Sequence, residues 1–191
     1  MSMGTYRIIT SEIMAEGWSS LSQLKVSGTR RDGRQVELIR EVADHGHGAS
    51  ILLVDPIRGL CLLVRQWRAG AAFAGHDGWL IETCAGLLDA DDPEGCARRE
   101  ALEELGTRVH NITPVSECFS SPGAVSERIS LFIGTYGETD RLTEGGGVLD
   151  EDEDIEVLEM PLTEAYAMIA TGEIVDAKTI ILLQHAMLKT K

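Results

Sequence analysis

The stretch that decides the fold is AGLLDADDPEGCARREALEELG, residues 85–106. Asp92 followed by Pro93 predicts a helix start, because an Asp side chain caps free amides and Pro tolerates the first helical position. Gly106 predicts the helix end, since glycine accepts the left-handed conformation that other residues resist. Between these ends, apolar side chains recur at four-residue intervals and predict a narrow packing face: Ala97, Ala101 and Leu105.

The same helix carries three carboxylates, Glu100, Glu103 and Glu104, and at least two of them share one edge. Like charges at this spacing repel by roughly 1 kcal/mol per pair in water, and by more where water is excluded. One interpretation is a solvated acidic surface that Arg98 and Arg99 partly neutralise. The other is a cradle for hard divalent cations, because Mg²⁺ and Mn²⁺ prefer carboxylate oxygen.

Composition limits the classes of partner. The 191 residues, 43% hydrophobic and 25% charged, are enough for one sizeable core. A net charge of −14 argues against a polyanion partner such as duplex nucleic acid. A phosphate substrate would also be repelled unless cations reverse the field at its site, and a metal cradle would do so.

The sequence has neither a membrane-length apolar run nor a basic-then-apolar signal pattern, so we expect a soluble cytoplasmic protein without a membrane partner. The four cysteines form no CxxC pair, and we expect small core residues rather than disulfides or zinc ligands.

Residues 1–45 are predicted to form an antiparallel strand unit, with the main domain in residues 46–191. Alternating apolar residues predict strands at 5–14 and 21–28, and a turn at 31–33 precedes an outgoing strand. Such a unit is too thin to bury a core alone. We therefore expect it to lean on the main domain or on a second copy of the chain.

The main domain mixes strands with a few helices, which predicts an α+β fold, an α/β/α sandwich with a mixed sheet. Residues 69–78 are Ala- and Gly-rich and predict a loop. Helices are predicted at 163–171, ended by Gly172, and at 177–189, capped by Asp176. The predicted strands are residues 49–54, 60–67, 79–84, 112–119, 129–136 and 155–160.

Gly86 followed by REALEELG, residues 99–106, resembles the signature box of the Nudix hydrolases, which cleave nucleoside diphosphates linked to another group. The small Ala101 fills a slot that is bulky in the family. The run from Gly86 to Arg99 is one residue shorter than usual, and Asp92 stands where the family mostly has Glu. The metal-binding end of the box is intact, and so many contiguous positions of mixed type rarely recur by chance.

The resemblance implies a Nudix-type sandwich and an enzyme that uses Mg²⁺, as two or three ions, with Mn²⁺ as an alternative. Glu100, Glu104 and the backbone carbonyl of Ala85 correspond to the metal ligands, and Glu103 is a further metal or catalytic candidate. Two or three ions can clamp both sides of an in-line displacement on phosphorus and lower the pKa of the attacking water. Another carboxylate must then accept the proton.

Other segments indicate which group of Nudix enzymes the chain resembles: VRQWR, LIETCAGLLD, SPGAVSE, DIEVLE and TGEIVDAKT. They are similar to Nudix enzymes that hydrolyse ADP-ribose and nucleoside diphosphate sugars, and above all to the bacterial ones that act on GDP-mannose. The implied reaction gives GMP and mannose 1-phosphate, with ADP-ribose as the alternative substrate. A non-catalytic Nudix-fold ligand-binding module is the third possibility, and the intact box argues against it.

The resemblance also assigns substrate-binding residues. Arg40 and Arg68 would bind the diphosphate, Glu127 and Lys178 would line the sugar-nucleotide site, and Trp18 takes the place of a base-stacking aromatic. Glu127 is a catalytic candidate as well.

The remaining assignments concern the box and a partner. Within and next to the box, the resemblance assigns further substrate-binding residues: Ala85, Gly86, Leu87 and Glu104. Ile39, Arg40 and Glu41 would reach into a partner's site across a homodimer.

Residues 137–154 lack periodicity and end in an acidic run at 150–154. A solvated loop is the commonest explanation of such a run. An EF-hand fails, because Ile155 and Pro161 occupy the slots of its required glycine and glutamate. The third interpretation is a mobile catalytic loop, hinged at Gly145, Gly146 and Gly147. The resemblance places one catalytic, metal-binding glutamate in the run, Glu153 when aligned on the following strand or Glu151 when aligned on the glycines.

Overall fold

A computed structural model describes residues 3–88, 92–147 and 154–189. Its strands are β1 (Thr5–Glu16), β2 (Ser20–Thr29), β3 (Gln35–Asp44), β4 (Gly48–Asp55), β5 (Leu60–Trp67), β6 (Trp79–Glu82), β7 (Cys84–Leu87), β8 (His110–Phe119), β9 (Arg128–Thr135) and β10 (Ile155–Pro161). Its helices are α1 (Ala69–Phe73), α2 (Pro93–Glu103), α3 (Leu162–Thr171) and α4 (Ala177–Lys189), with a 3₁₀ turn at Glu138–Asp140.

The chain divides into two compact units, of which the first comprises Met1–His47 and Phe119–Arg128. In this unit β1, β2 and β3 form an antiparallel sheet in that order. The predicted turn joins β2 to β3, where Gly33 has a φ of +86° and the Arg30 amide donates to the Arg34 carbonyl. The predicted strands and hairpin of this segment are therefore confirmed.

The second unit, Gly48–Cys118 with Ile129–Lys191, is built on a mixed seven-stranded sheet. The main path of the sheet runs β10-β5-β4-β9-β8, while β6 pairs with β5 and β7 pairs with β4. Strand β4 is parallel to β9 and antiparallel to β5 and β7. The predicted mixed sheet is confirmed.

Strand β4 contributes side chains to two separate hydrophobic cores. Ile51 and Leu53 pack in one core with residues of α2, whereas Leu52 packs in the other with residues of α4. Successive side chains of a strand point to opposite faces, so the two cores lie on opposite sides of the sheet. The α2 residues in the first core are the predicted packing face and are fully buried: Ala97 and Ala101, followed by Leu105 just beyond the helix. This is the predicted α/β/α sandwich.

Two local predictions were wrong. Residues 69–78 were expected to form a loop, but Ala69–Phe73 form the short helix α1, because three of its five residues are alanine, the strongest helix former. A single strand was expected over residues 79–84, but it is interrupted at Thr83. The Thr83 amide donates to the side-chain oxygen of Thr179, 2.7 Å away in α4, rather than to a neighbouring strand.

Among the residues described, no helix is long and apolar enough to cross a membrane. No disulfide links the four cysteines, all of which lie in described segments. Three of them are buried and the fourth is half-buried, as predicted for small core residues: Cys61, Cys84, Cys96 and Cys118.

Candidate active site

Helix α2 begins where the sequence predicts. The Asp92 side chain accepts hydrogen bonds from the amides of Glu94 and Gly95, at 3.1 and 2.9 Å, and Pro93 is the first helical residue. The helix ends at Glu103, and Gly106 just beyond it adopts the predicted left-handed conformation, with a φ of +62°. These local signals fix the rotation and length of the helix that carries the carboxylates.

Strand β7 places the beginning of the box beside that helix. Ala85 and Gly86 pair with Ser50 and Ala49 of β4, and α2 packs against both strands. A central strand of the sheet therefore fixes the register of the backbone that faces the carboxylates.

The two carboxylates predicted as principal ligands lie on this buried side of the helix. Glu100 is 8% exposed and Glu104 is 2% exposed. The Ala85 amide donates to Glu104 Oε2 at 3.2 Å, and a Cβ added to Gly86 would collide with the carboxylate of Glu100. The absence of a side chain at position 86 therefore leaves room for Glu100, and the structure brings these four predicted residues together.

Arg99 places positive charge beside the carboxylates of this site. Arg99 Nη1 lies 2.8 Å from Glu100 Oε1 and 3.0 Å from Glu103 Oε2, and Glu103 is about one-third exposed at the rim. The backbone carbonyl of Leu87 accepts a further hydrogen bond from Arg99. Burial raises the pKa of the Cys84 thiol well above its usual value, and the nearby Glu104 raises it further.

The donor set suits a hard divalent cation. Two buried carboxylates and a backbone carbonyl offer only oxygen, which Mg²⁺ and Mn²⁺ prefer, and buried negative charge needs a compensating cation. Within residues 3–88, 92–147 and 154–189, no three His, Cys, Asp or Glu side chains converge as a metal site. A further acidic ligand such as Glu151 or Glu153 lies outside the described residues.

The predicted hinge glycines contact the end of α2. The Gly146 amide donates to the Glu104 carbonyl at 2.8 Å, and the Gly147 amide donates to the Glu103 carbonyl at 3.3 Å. Gly145, Gly146 and Gly147 all have positive φ angles, which favour glycine. These amides satisfy carbonyls that the last turn of a helix leaves without partners. Gly146 and Gly147 are thus anchored to the helix that carries the carboxylates.

A second charged cluster joins β5, β6 and α4. Glu82, which is 2% exposed, accepts hydrogen bonds from Arg68 Nη2 and Lys178 Nζ, both at 2.8 Å from its Oε2. Arg68 Nε approaches both Glu82 oxygens, at 3.2 and 3.3 Å. Burial acts to raise the pKa of Glu82, but the two cations outweigh it and hold this pKa below its ordinary value.

Arg68 and Lys178 were predicted to bind substrate, but Glu82 was missed. The sequence did contain a signal for Glu82, because this acidic residue directly follows the apolar residues Trp79–Ile81 in a predicted strand. Burying a lone carboxylate is costly, so its presence there points to a cationic partner. The partner Lys178 is 96 residues away in sequence, and no local pattern identifies it.

The remaining predicted substrate residues belong to the first unit. Trp18 is 80% exposed and stacks on the His45 ring, with centroids 5.1 Å apart. His45 Nε2 lies 4.0 Å from Glu127 Oε2. The three partner-reaching candidates follow one another on β3: Ile39, Arg40 and Glu41. Arg40 donates to the carbonyl of Ile39 at 2.7 Å.

Comparison with known proteins shows the family and the fold of the chain. A NUDIX domain matches residues 44–183. The GDP-mannose pyrophosphatase of Klebsiella pneumoniae is 48% identical over 179 residues, which cover 93% of this chain and 89% of that protein. That of Cronobacter sakazakii is 48% identical over 183 residues, 95% of each chain. The crystal structure of an ADP compounds hydrolase shares the fold, with a TM-score of 0.73 at 17% identity over 100% of this chain and 97% of that one.

Proposed function

The chain belongs to the NUDIX family, and from this we propose that it hydrolyses the diphosphate bond of nucleoside diphosphate sugars. GDP-mannose is the proposed substrate, cut by water into GMP and mannose 1-phosphate. The relatives that are 48% identical over more than nine-tenths of the chain support this substrate. The observation that carries the activity is the pair of buried carboxylates, Glu100 and Glu104, against the Ala85–Gly86 backbone.

Glu100, Glu104 and the Ala85 carbonyl would hold Mg²⁺, with Glu103 at the rim as a further ligand or catalytic group. We propose two or three ions, and Mn²⁺ as a substitute. Bound Mg²⁺ neutralises phosphate oxygens and lowers the pKa of a bound water. The protein contributes a buried set of oxygens whose spacing is fixed by one helix and one strand, so little reorganisation is needed when substrate binds.

Arg68 and Lys178 supply positive charge for the diphosphate in a protein whose net charge is −14. Both are held by the buried Glu82, so their side chains are partly ordered before substrate arrives. Ordered cations lose less entropy on binding phosphate than free ones do. Gly86 and Leu87 would contribute backbone contacts beside the carboxylates.

The proton acceptor is proposed to be a glutamate of the acidic run, Glu153 in preference to Glu151. This proposal is supported by the amides of Gly146 and Gly147, which precede the run in sequence and donate to carbonyls at the end of α2, the helix that carries Glu100 and Glu104. Glu127 is retained as a catalytic and substrate-binding candidate of the first unit.

We further propose a homodimer in which the strand unit of residues 1–45 completes the partner's site. Trp18 is exposed enough to stack on a base, and stacking of this kind is indifferent to base identity. Ile39, Arg40 and Glu41 on β3 would reach across the interface. A three-stranded sheet without a core of its own gains stability from such a contact.

A substrate panel tests the proposal. We expect kcat/KM with Mg²⁺ to be highest for GDP-mannose and at least about tenfold lower for ADP-ribose, a difference of roughly 1.4 kcal/mol in transition-state binding. A higher kcat/KM for ADP-ribose would identify ADP-ribose, rather than GDP-mannose, as the substrate. Glu100→Gln, which keeps the side-chain shape, should abolish turnover and leave the unfolding temperature near that of wild type. No turnover by the wild type on any member of the panel would favour a non-catalytic module.

A further inference from the structure

Glu82 lies outside the carboxylate site of α2 and β7 and is itself a buried acid. Its carboxylate is buried and contacts two cations that belong to different elements, Arg68 after β5 and Lys178 in α4. Both cationic nitrogens lie 2.8 Å from the same oxygen, Oε2. The two positive charges are therefore held within twice that distance of each other, closer than free cations would settle.

The cluster continues on the far side of Lys178. Asp176 Oδ1 lies 3.0 Å from Lys178 Nζ, so this ammonium is bracketed by two carboxylates and is only 11% exposed. The other oxygen of Asp176 accepts hydrogen bonds from the amide and hydroxyl of Thr179, at 3.0 and 2.6 Å. Lys178 is thereby fixed to the first turn of α4 as well as to Glu82.

The same helix turn is also bound to the backbone that leads to the box. The Thr83 amide donates to Thr179 Oγ1 at 2.7 Å, and the Thr83 hydroxyl lies 2.8 Å from that of the buried Ser50 in β4. Glu82 and Ala85 are three residues apart on this backbone. The carboxylate that contacts both cations and the start of the box therefore lie on one short segment of chain.

Arg68 keeps a nitrogen available for another anion. Glu82 engages its Nε and Nη2, and Nη1 makes no hydrogen bond to any residue of the described chain. The Arg68 side chain is also about 40% exposed, in contrast to the buried Glu82. The Arg68 guanidinium can therefore bind Glu82 through Nε and Nη2 and a phosphate oxygen through Nη1, since guanidinium binds carboxylate and phosphate in similar geometry.

We propose that Glu82 is a positioning residue that holds Arg68 and Lys178 side by side as a cation pair for the substrate diphosphate. This inference rests on the proposed function, because it takes the diphosphate as the anion. Glu82 touches neither the substrate nor the metal in this account. It acts by keeping two like charges close together and by limiting their rotamers before the substrate binds.

The test is steady-state kinetics of Glu82→Gln with GDP-mannose at saturating Mg²⁺. Without the carboxylate charge the two cations separate, so we expect KM to rise about tenfold or more, while kcat changes less than about threefold. The Mg²⁺ concentration that gives half-maximal rate should stay at its wild-type value. An unchanged KM, or equal losses in kcat and in Mg²⁺ response, would overturn the proposal.

Glu159→Gln is the matched control, because Glu159 also accepts from an arginine, Arg58, at 3.0 Å, but in a different part of the sheet. We expect wild-type KM from this control. Coupling is tested by combining Glu82→Gln with Arg68→Ala. If Glu82 acts through Arg68, its substitution should raise KM less in the Arg68→Ala background than in wild type, whereas purely additive effects would contradict the proposal.

Should Glu82→Gln fail to fold, Glu82→Asp keeps the charge and shortens the reach by one methylene. We then expect a KM increase of about threefold with kcat retained, and a wild-type KM would count against the positioning role. The activity of the wild type on nucleoside diphosphate sugars distinguishes a failure of the proposed function from a failure of the positioning role. If it hydrolyses no nucleoside diphosphate sugar, the function fails; if it does and the Glu82 variants match it in KM, only the positioning role fails.

Discussion

Gly86→Ala perturbs the carboxylate site without replacing any of the predicted metal ligands. Gly86 is not among the glycines with positive φ, so its backbone conformation is open to alanine. The added methyl group would, however, collide with the side chain of Glu100, whose Cγ lies 2.8 Å from the new Cβ and whose carboxylate lies closer still. The substitution therefore acts on Glu100 rather than on the backbone.

The size of the effect follows from the displacement. Carbon atoms rest about 3.5 Å apart, so the Glu100 side chain must move by about 1 Å or more to clear the methyl group. Metal–ligand distances tolerate only about 0.2 Å, and a misplacement of about 1 Å in an active site can cost about 100-fold in rate. We expect kcat/KM to fall about 100-fold, and the Mg²⁺ concentration for half-maximal rate to rise. The overpacking itself should cost only about 1–3 kcal/mol of stability.

The assay is a Mg²⁺ titration of GDP-mannose hydrolysis, with the free energy of unfolding measured by urea denaturation on the same preparation. Gly70→Ala is the control, because a Cβ at Gly70 would meet nothing within 4 Å and the residue lies in α1. We expect this control to keep wild-type kinetics and to be equally or slightly more stable. A folded Gly86→Ala variant with a wild-type Mg²⁺ response would refute the reasoning, since Glu100 could then leave its place against Gly86 without consequence.

Three further predictions concern other parts of the chain. Glu153→Gln should lower kcat about 100-fold or more, as expected for loss of a general base, and Glu151→Gln by far less; the reverse order would make Glu151 the base. Mixing the inactive variants Arg40→Ala and Glu100→Gln should restore part of the activity, because mixed dimers contain one intact site; no recovery would indicate a self-contained protomer. Hydrogen bonds from a neighbouring arginine lower the pKa of the buried Asp55 below 3.8. Asp55 therefore stabilises the fold above that pH and less below it. Asp55→Asn should reduce the urea midpoint at pH 7, and this difference should shrink as the pH falls through the lowered pKa of Asp55; a pH-independent difference would contradict this.

The sequence predicted those features whose causes are local. The cap at Asp92, the left-handed Gly106 and the four-residue spacing of Ala97 and Ala101 are each set by neighbours within one or two helical turns, and each is found in the structure. The resemblance of the box assigned Ala85, Glu100 and Glu104 to one site, and the structure brings these residues together beside Gly86.

The features that the sequence did not reveal depend on contacts between distant segments. The break at Thr83 arises from a hydrogen bond to Thr179, 96 residues further on, and no local periodicity reports such a partner. The role of Glu82 was missed because its two cations come from other elements; the sequence shows only an acid at the end of an apolar strand. The short helix α1 was missed since Gly70 among alanines resembles a loop in composition.

The central claim is that the carboxylates of α2 and the backbone of β7 together hold divalent cations. Crystals grown with Mn²⁺ and a non-hydrolysable GDP-mannose analogue test it through the anomalous scattering of the metal. We expect a peak about 2.1 Å from oxygens of Glu100, Glu104 and the Ala85 carbonyl. A fully occupied analogue with no anomalous peak at these oxygens, or with the metal bound only elsewhere, would contradict the account.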